Sequence, residues 1–428
     1  MHLTHLLSST GVLAAEVGDP LLADGQYLWG MPLVVIFIKA LIAFLICLLS
    51  VVVMVWAERK VIADMQDRIG PNRAGPWGLL QTLADGTKLF FKEALFPQRA
   101  DKFVFRLAPY LSTVPAFLTF AVIPLGGTAK IFGHETILQL ADPPMGVLFS
   151  LAISSIAVYG VMLAGWSSGS KYPLMGSVRA SAQMISYEAA MGLSLAAVVL
   201  TTGSLSTQSI VNAQANGRWN LWNLLFVPAV VFAIAGTAEL NRPPFDLVEA
   251  ESELVGGFHT EYSSARFAMF YLAEFMNTIT MSALISTLFL GGPTMPFNLA
   301  KLVRLNNVPV ISGLLGQSSP LWLLLKVMAL CFTYIWLRGT LPRFRYDQLM
   351  DLGWKRLIPA SLLWLLILAA RQAGNTRIEQ FRNTALGFLG SAVVVGLLFA
   401  AMKVGRRTSE EDMAAAASGP DSRRPGRF

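Results

Sequence analysis

Charged residues are scarce in this sequence, because Asp, Glu, Lys and Arg make up only 14% of its 428 residues. A soluble globular protein carries roughly 25%. Hydrophobic residues account for 54% of the chain instead. The apolar runs are continuous and do not alternate with polar residues, which excludes a membrane β-barrel. We therefore expect an all-α polytopic protein embedded in the lipid bilayer.

Cysteine and histidine are also rare. Cys47 and Cys331 both lie inside apolar runs, which leaves no set of thiolates for an iron–sulfur cluster or a zinc ion. None of the four histidines lies in mid-span, where a membrane haem would need a pair. The sequence lacks a phosphate-binding glycine loop, a dinucleotide fingerprint and a nucleophile elbow. We expect this chain to hold no catalytic residue, metal, flavin, haem or cluster.

Nine apolar runs approach the length of about 20 residues that crosses a bilayer. They cover residues 33–56, 104–125, 146–166, 180–201, 221–240, 267–290, 321–341, 357–370 and 385–402, and the eighth is short. We divide the chain into an external amino-terminal segment (1–32), a membrane core (33–370), an extra loop with a ninth spanning helix (371–402) and a basic, disordered tail (403–428).

Basic residues are distributed unequally between the two sides of these spans. Loops on one side, with the carboxyl-terminal tail, hold 23 Lys and Arg, whereas the other side holds 7. Because cytoplasmic loops carry the excess of basic residues, the richer side is expected to face the cytoplasm. This places the amino terminus outside and the carboxyl terminus inside. The net charge of +7 reflects this bias and gives no indication of nucleic-acid binding.

The first cytoplasmic loop begins with Glu58 and Arg59 at the end of a span, and Gly-Pro at 70–71 predicts a turn. Residues 77–95 place apolar side chains on one helical face and polar ones, including Asp85 and Lys88, on the other. This spacing predicts an amphipathic helix on the membrane surface. The helix is either an interfacial anchor or, with Glu58 and Arg59, part of a polar lining.

Carboxylates crowd the third cytoplasmic loop and the spans beside it. The group comprises Glu188, Glu239, Asp246, Glu249, Glu251, Glu253 and Glu274. If the loop is helical, Asp246, Glu249 and Glu253 share one face. If it is extended, Glu249, Glu251 and Glu253 share one face. A solvated acidic loop is one reading. Intramembrane carboxylates are costly enough to imply a role, so the alternative is a buried proton path.

Several long motifs resemble a known family, the membrane subunit of respiratory complex I that is called the H subunit in bacteria and subunit 1 in mitochondria. They are AERK (57–60), RIGPN (68–72), GLLQ (78–81), ADGTKL (84–89), RASAQMISYE (179–188), AELNRPPFDLVEAESEL (238–254) and LPRFRYDQLM (341–350). They occur in order across residues 31–370. The segment from Arg371 onward extends beyond the common core, and the third span contains no carboxylate.

The resemblance implies an eight-helix core in the inner (plasma) membrane, joined to two kinds of complex I subunit. These are the peripheral-arm subunits beside the terminal iron–sulfur cluster and the antiporter-like membrane subunits. The chain would form much of the chamber that admits ubiquinone or menaquinone, while carrying no redox centre itself. It would thereby act in a proton-translocating NADH:quinone oxidoreductase, as a coupling element rather than an electron carrier.

Residue roles follow from the resemblance position by position. Glu58, Arg59, Asp85 and Lys88 match the quinone chamber or its junction with the peripheral arm. Glu188, Glu239, Asp246, Glu249, Glu251, Glu253 and Glu274 match an acidic funnel toward the pumps. Arg343 and Arg345 match basic residues at the junction.

Two other functions remain open from the sequence. The chain could be the equivalent anchor of a membrane-bound hydrogenase or of a dehydrogenase with another electron donor, because donor chemistry belongs to other subunits. An independent transporter would show internal repeats and a polar site at the middle of the membrane. The charges here crowd at the cytoplasmic ends instead, which argues against a transporter.

Overall fold

The computed structural model describes residues 31–131, 134–215, 219–247, 255–295 and 318–374, with the single positions 379, 382, 384 and 387. The chain divides into two compact units, 1–361 and 362–428. The amino-terminal segment, the ninth predicted span and the tail lie outside the described ranges, so those predictions stay as they are.

Helices dominate the described residues. In chain order they are α1 (Met31–Met65), a 3-10 turn (Pro76–Gly78), α2 (Gln81–Phe91), α3 (Lys102–Phe120), the hairpin β1 (Thr128–Ile131) and β2 (His134–Ile137), α4 (Gly146–Ser167), α5 (Lys171–Thr202), α6 (Thr207–Gln214), α7 (Asn220–Asn223), α8 (Val227–Glu239), a 3-10 turn (Gly257–His259), α9 (Ser264–Phe289), α10 (Pro320–Thr340), α11 (Tyr346–Leu352), a π-helical turn (Gly353–Leu357) and α12 (Ile358–Gln372). The two short strands pair antiparallel, with Thr128 opposite Ile137.

Seven described helical stretches are long and apolar enough to span a bilayer, and α8 is a shorter apolar helix. The chain is therefore a multi-pass all-α membrane protein, as predicted. The short eighth run is extended at its amino-terminal end by α11 and the π-helical turn, which gives a continuous stretch of 27 residues from Tyr346 to Gln372.

The fifth predicted span, 221–240, is interrupted. Leu225 and Phe226 adopt left-handed backbone conformations with φ of 56° and 63°, and α8 begins at Val227 with Pro228 in its first turn. Proline has no backbone N–H and suits the start of a helix better than its interior, so the helix restarts here. The break confines the span to α8, which ends at Glu239.

Helix α9 lies at the centre of the first unit, where it contacts α1, α3, α8 and α10. In its most apolar window 67% of the residues are buried, against 22% in α1. Glycine allows close approach elsewhere in the bundle, since a Cβ at Gly160 of α4 would lie 2.7 Å from the backbone nitrogen of Ser112 in α3. This packing places α9 among four other helices and brings α3 and α4 into close contact.

Lys326 of α10 closes the carboxyl-terminal end of α9. Its ammonium group donates hydrogen bonds to the carbonyl oxygens of Leu290, Gly292 and Thr294 at 2.7, 2.8 and 2.7 Å, and lies 5.0 Å from the centre of the Trp219 ring. A lysine in these positions satisfies carbonyl groups that a helix end leaves without partners. The charged ammonium group of Lys326 is therefore bound by protein atoms rather than left facing lipid.

Candidate functional site

A buried arginine holds together three segments of the chain. Arg242, three residues after α8, is 4% exposed. Its Nη1 lies 2.7 Å from Oε2 of Glu58 on α1, and its Nε lies 3.0 Å from Oε1 of Glu274 on α9. The guanidinium also lies 4.4 Å from the centre of the Phe275 ring. One cation is therefore shared by two carboxylates.

Glu58 faces the interior of the bundle rather than the membrane surface. It is 5% exposed, and Arg338 at the end of α10 donates a hydrogen bond to its second oxygen. Its neighbour Arg59 faces outward and pairs with Asp85 of α2 at 2.5 Å. The four predicted chamber residues thus separate, with Glu58 on the buried network and the Arg59–Asp85 pair at the surface. Lys88 is exposed and makes no ion pair among the described residues.

The segment before α11 docks on the segment after α8. Nη2 of Arg343 lies 3.0 Å from Oδ2 of buried Asp246, and the backbone N–H of Phe344 donates to the carbonyl of Pro244 at 3.1 Å. The rings of Phe245 and Phe344 stack with centroids 5.5 Å apart. Arg345 is exposed and, within the described ranges, forms no ion pair with a carboxylate. Of the two predicted basic residues, Arg343 is the one in contact with the acidic group.

Two carboxylates meet α4, the helix that has no carboxylate of its own. Ser154 donates a hydrogen bond to Oε1 of Glu239, and the adjacent Ser155 donates to Oε1 of Glu188. The second oxygen of Glu239 is buried and has no hydrogen-bond partner among the described residues. The third span, which has no carboxylate, therefore contacts two carboxylates of neighbouring segments through its serines.

Two cavities inside the bundle share a wall that contains Glu239. Met184, Leu240 and Asn277 also border both cavities. One cavity continues between α4 and α9, and the other extends past Glu274 to the turn at His259. Three titratable side chains, Glu239, Glu274 and His259, therefore border interior cavities whose remaining lining is largely apolar.

His259 borders the cavity that extends past Glu274. Its imidazole is surrounded by the rings of Phe258, Phe267 and Tyr271, with centroids 5.0, 5.4 and 6.4 Å away. Burial lowers the pKa of His259 to about 4, so the imidazole is neutral at physiological pH. A neutral imidazole can accept and donate a hydrogen bond at the same time.

The acidic loop itself is only partly described. Glu249, Glu251 and Glu253 lie outside the described residues, between Leu247 and Val255. The structure thus brings Glu58 and Glu274 together on Arg242, pairs Asp246 with Arg343, and separately places Glu188 and Glu239 against α4.

Sequence reasoning missed several residues of this site: Arg242, Arg338, Ser154, Ser155, His259 and Asn277. Arg242 had a signal, because it stands between carboxylates in the run that precedes two prolines. The serines had none, since serine is common in spanning helices and side-chain direction decides its partner.

Comparison with known proteins assigns the chain to a family. The family described as NADH dehydrogenase matches residues 38–369. The chain belongs to the NADH dehydrogenase family. That match includes every described residue of the candidate site, from Glu58 to Arg345.

Individual relatives in the family are similar over most of the chain. The H subunit of NADH-quinone oxidoreductase from Frankia alni is 50% identical over 393 residues, which is 91% of this chain and 83% of the relative. The proteins of the same name from Frankia casuarinae and Streptomyces avermitilis are 52% and 48% identical, over 86% and 90% of this chain and 78% and 83% of their own lengths.

Proposed function

We propose that this chain is the membrane subunit of a proton-translocating NADH-quinone oxidoreductase, and that it couples quinone reduction to proton movement. Membership of the family supports the assignment to the complex. The observation that carries the coupling role is Glu239, a buried carboxylate with one oxygen unpartnered among the described residues, in the wall between two interior cavities. Intramembrane carboxylates in such positions typically serve proton relays.

Arg242 gives the coupling a physical basis. It binds Glu58, whose neighbour Arg59 extends toward the surface helix α2, and also Glu274, which borders the inner cavity. In a low-dielectric interior, a change of charge on one carboxylate alters the balance of attraction on a shared cation. Protonation of a group at the quinone end would therefore change the strength of the attraction between Arg242 and Glu274.

The substrate would be ubiquinone or menaquinone, taken from the bilayer beside α2. This helix lies along the cytoplasmic ends of α1 and α9, where Ser264 donates hydrogen bonds to the carbonyls of Leu89 and Lys92. Phe90 and Phe91 are 72% and 87% exposed, which suits contact with an isoprenoid chain. The two electrons come from a partner subunit, and the residues of this chain bind, orient and supply protons.

The proposal includes location and partners. The bias of basic residues supports an external amino terminus and a cytoplasmic carboxyl terminus in the plasma membrane. The charged cytoplasmic face, with Arg338 and Arg343 about 41% exposed, suits contact with peripheral-arm subunits. Antiporter-like membrane subunits would continue the proton path from the inner cavities.

Glu239→Gln tests the coupling role, because glutamine keeps the volume and the contact with Ser154 but cannot carry a proton. We expect the complex to assemble and to oxidise NADH with a hydrophilic artificial acceptor at the normal rate. NADH:quinone turnover should fall about a hundredfold or more, within the range of about 10²–10⁴ typical of losing a positioned proton-transfer group. Asp351→Asn is the matched control, since Asp351 is a surface carboxylate paired with Lys355 at 2.6 Å.

Unchanged quinone turnover and an unchanged proton-to-electron ratio in Glu239→Gln would contradict the proposal. Glu249→Gln and Glu253→Gln extend the same experiment to the acidic loop. We expect both to leave assembly largely intact and to reduce quinone-linked turnover and pumping.

A further inference from the structure

Two arginines converge on one aromatic ring at a distance from the carboxylate network. Arg106 lies near the start of α3 and Arg266 near the start of α9, and these two helices pack against each other. Their guanidinium carbons lie 5.2 and 3.7 Å from the centre of the Phe96 ring. Phe96 belongs to the loop that leads into α3. Nothing in the coupling role uses this pair of cations.

The pair lies at the depth of lipid headgroups. Helix α3 has 19 residues, which is about 28 Å of helix, and the hydrocarbon core of a bilayer is about 30 Å thick. The two ends of α3 therefore lie at opposite surfaces of the membrane. Arg106 is four residues from the start of α3 and Arg266 two residues from the start of α9, so both side chains reach the same surface.

Neighbouring aromatic residues face outward from this surface. Phe103 and Tyr110, three residues before and four after Arg106, are 74% and 55% exposed. Arg106 is exposed on the same side of the helix. Aromatic residues at the ends of spanning helices typically contact the region between acyl chains and headgroups.

Arg266 is held in place by stacked rings beneath it. Phe105 and Tyr262 lie parallel with centroids 4.0 Å apart, and the Tyr262 hydroxyl donates a hydrogen bond to the carbonyl of Phe105 at 3.2 Å. The guanidinium of Arg266 lies 5.9 Å from the Phe105 ring as well as against Phe96. Its position is therefore fixed before any ligand binds.

The two cations have no counter-charge among the described residues. Neither arginine forms an ion pair there. The nearest carboxylates in the sequence, Asp101 and Glu261, do not pair with them there. Asp101 accepts hydrogen bonds from the backbone of α3 at 3.0 and 3.3 Å, and Glu261 forms no ion pair with either arginine within the described ranges. Nη1 of Arg266 is buried and makes no hydrogen bond within the described ranges. Two adjacent cations repel each other, and an anion beside them would remove this cost.

We propose that Arg106 and Arg266 bind the phosphate group of an anionic phospholipid, whose acyl chains lie against Phe103 and Tyr110. Guanidinium groups suit phosphate because their planar donors match its oxygens. Inorganic phosphate shares this chemistry, but the exposed aromatic flank and the depth of the site favour a lipid. An acidic segment of a partner protein would require polar rather than apolar surroundings.

Photo-crosslinking of the intact complex tests the lipid site. The purified complex would be reconstituted in vesicles with phosphatidylglycerol that carries a photoactivatable group on one acyl chain, and cross-linked peptides would be mapped. We expect labelling of the first half of α3 to exceed that by a matched phosphatidylcholine probe. Arg106→Gln should reduce it about fivefold, the effect of one basic residue at an anionic membrane surface. Lys355→Gln, on the same side of the membrane, should not change it.

Arg106 is exposed, so its substitution leaves the packed core intact and the experiment does not depend on Arg266. Equal labelling by the two lipids, or equal labelling of wild type and Arg106→Gln, would overturn the proposal. Competition by millimolar inorganic phosphate would also overturn it, because the site would then select phosphate alone. Unchanged lipid labelling with loss of a partner subunit from Arg106→Gln would assign the cations to a protein surface instead.

Discussion

At the scale of single residues, Arg242 contributes most to holding the site together. Removing one member of a buried charge group leaves the others uncompensated, which typically costs about 3–5 kcal/mol. We expect Arg242→Gln to lower the unfolding temperature of the purified complex and the yield of assembled subunit, since it strands Glu274 and leaves Glu58 with Arg338 as its one remaining cation among the described residues. The measurement is a thermal melt of complexes purified in the same detergent.

The surface pair provides the control for this prediction. Arg59→Gln breaks a pair whose side chains are 48% and 30% exposed, and such pairs contribute about 0–1 kcal/mol. Adding Glu274→Gln to Arg242→Gln should restore part of the stability, because one stranded charge is removed. Equal melting temperatures for Arg242→Gln and Arg59→Gln would show that the buried arginine has no special structural role.

His259 makes the stability of the protein depend on pH in a defined direction. An unfolded histidine has a pKa of about 6.5, and burial lowers the pKa of His259 to about 4. Protonation therefore favours the unfolded chain, and the stability that neutral His259 provides is lost as the pH falls from about 6.5 toward 4. Between pH 7.5 and 5, we expect His259→Asn to lose less thermal stability than wild type, by on the order of 1–2 kcal/mol. Identical acid sensitivity of the two proteins would contradict this.

At the scale of elements, hydrophobic runs located the spans because the bilayer requires about 20 apolar residues whatever the partners of a helix are. Each of the eight runs within the core coincides with helix in the described residues. The break before Val227 was not predicted, although Pro228 gave a signal for it. The amphipathic pattern over 77–95 is realised as the exposed helix α2, four residues shorter at each end.

The candidate site was predictable in its residue types but only partly in its contacts. Motifs identified the carboxylates, because such charges are rare near spans. The division of Glu58 from Arg59 depends on the direction in which adjacent side chains leave α1, and the pairing of Glu188 and Glu239 with Ser155 and Ser154 depends on how α4 packs. The spacing of residues along a single helix predicts neither the direction of these side chains nor the packing of α4.

At the scale of the whole molecule, the two membrane faces differ in chemistry. The arginine and carboxylate network lies at one end of the spans, with the ends of α1, α8 and α10 and the start of α9. At the opposite end, Lys326 donates to backbone carbonyls and Ser206 donates to Asp142. The basic-residue bias predicts that the network faces the cytoplasm, where a peripheral electron donor would dock.

Cysteine labelling tests this orientation, because Cys47 and Cys331 are 2% and 8% exposed and contribute little background. Asn212 of α6 and Asp351 of α11 are exposed on opposite faces. We expect a membrane-impermeant maleimide applied outside the membrane to label Asn212→Cys, and to label Asp351→Cys only after the membrane is permeabilised. The reverse pattern would put the carboxylate network outside, where quinone reduction could not draw protons from the cytoplasm.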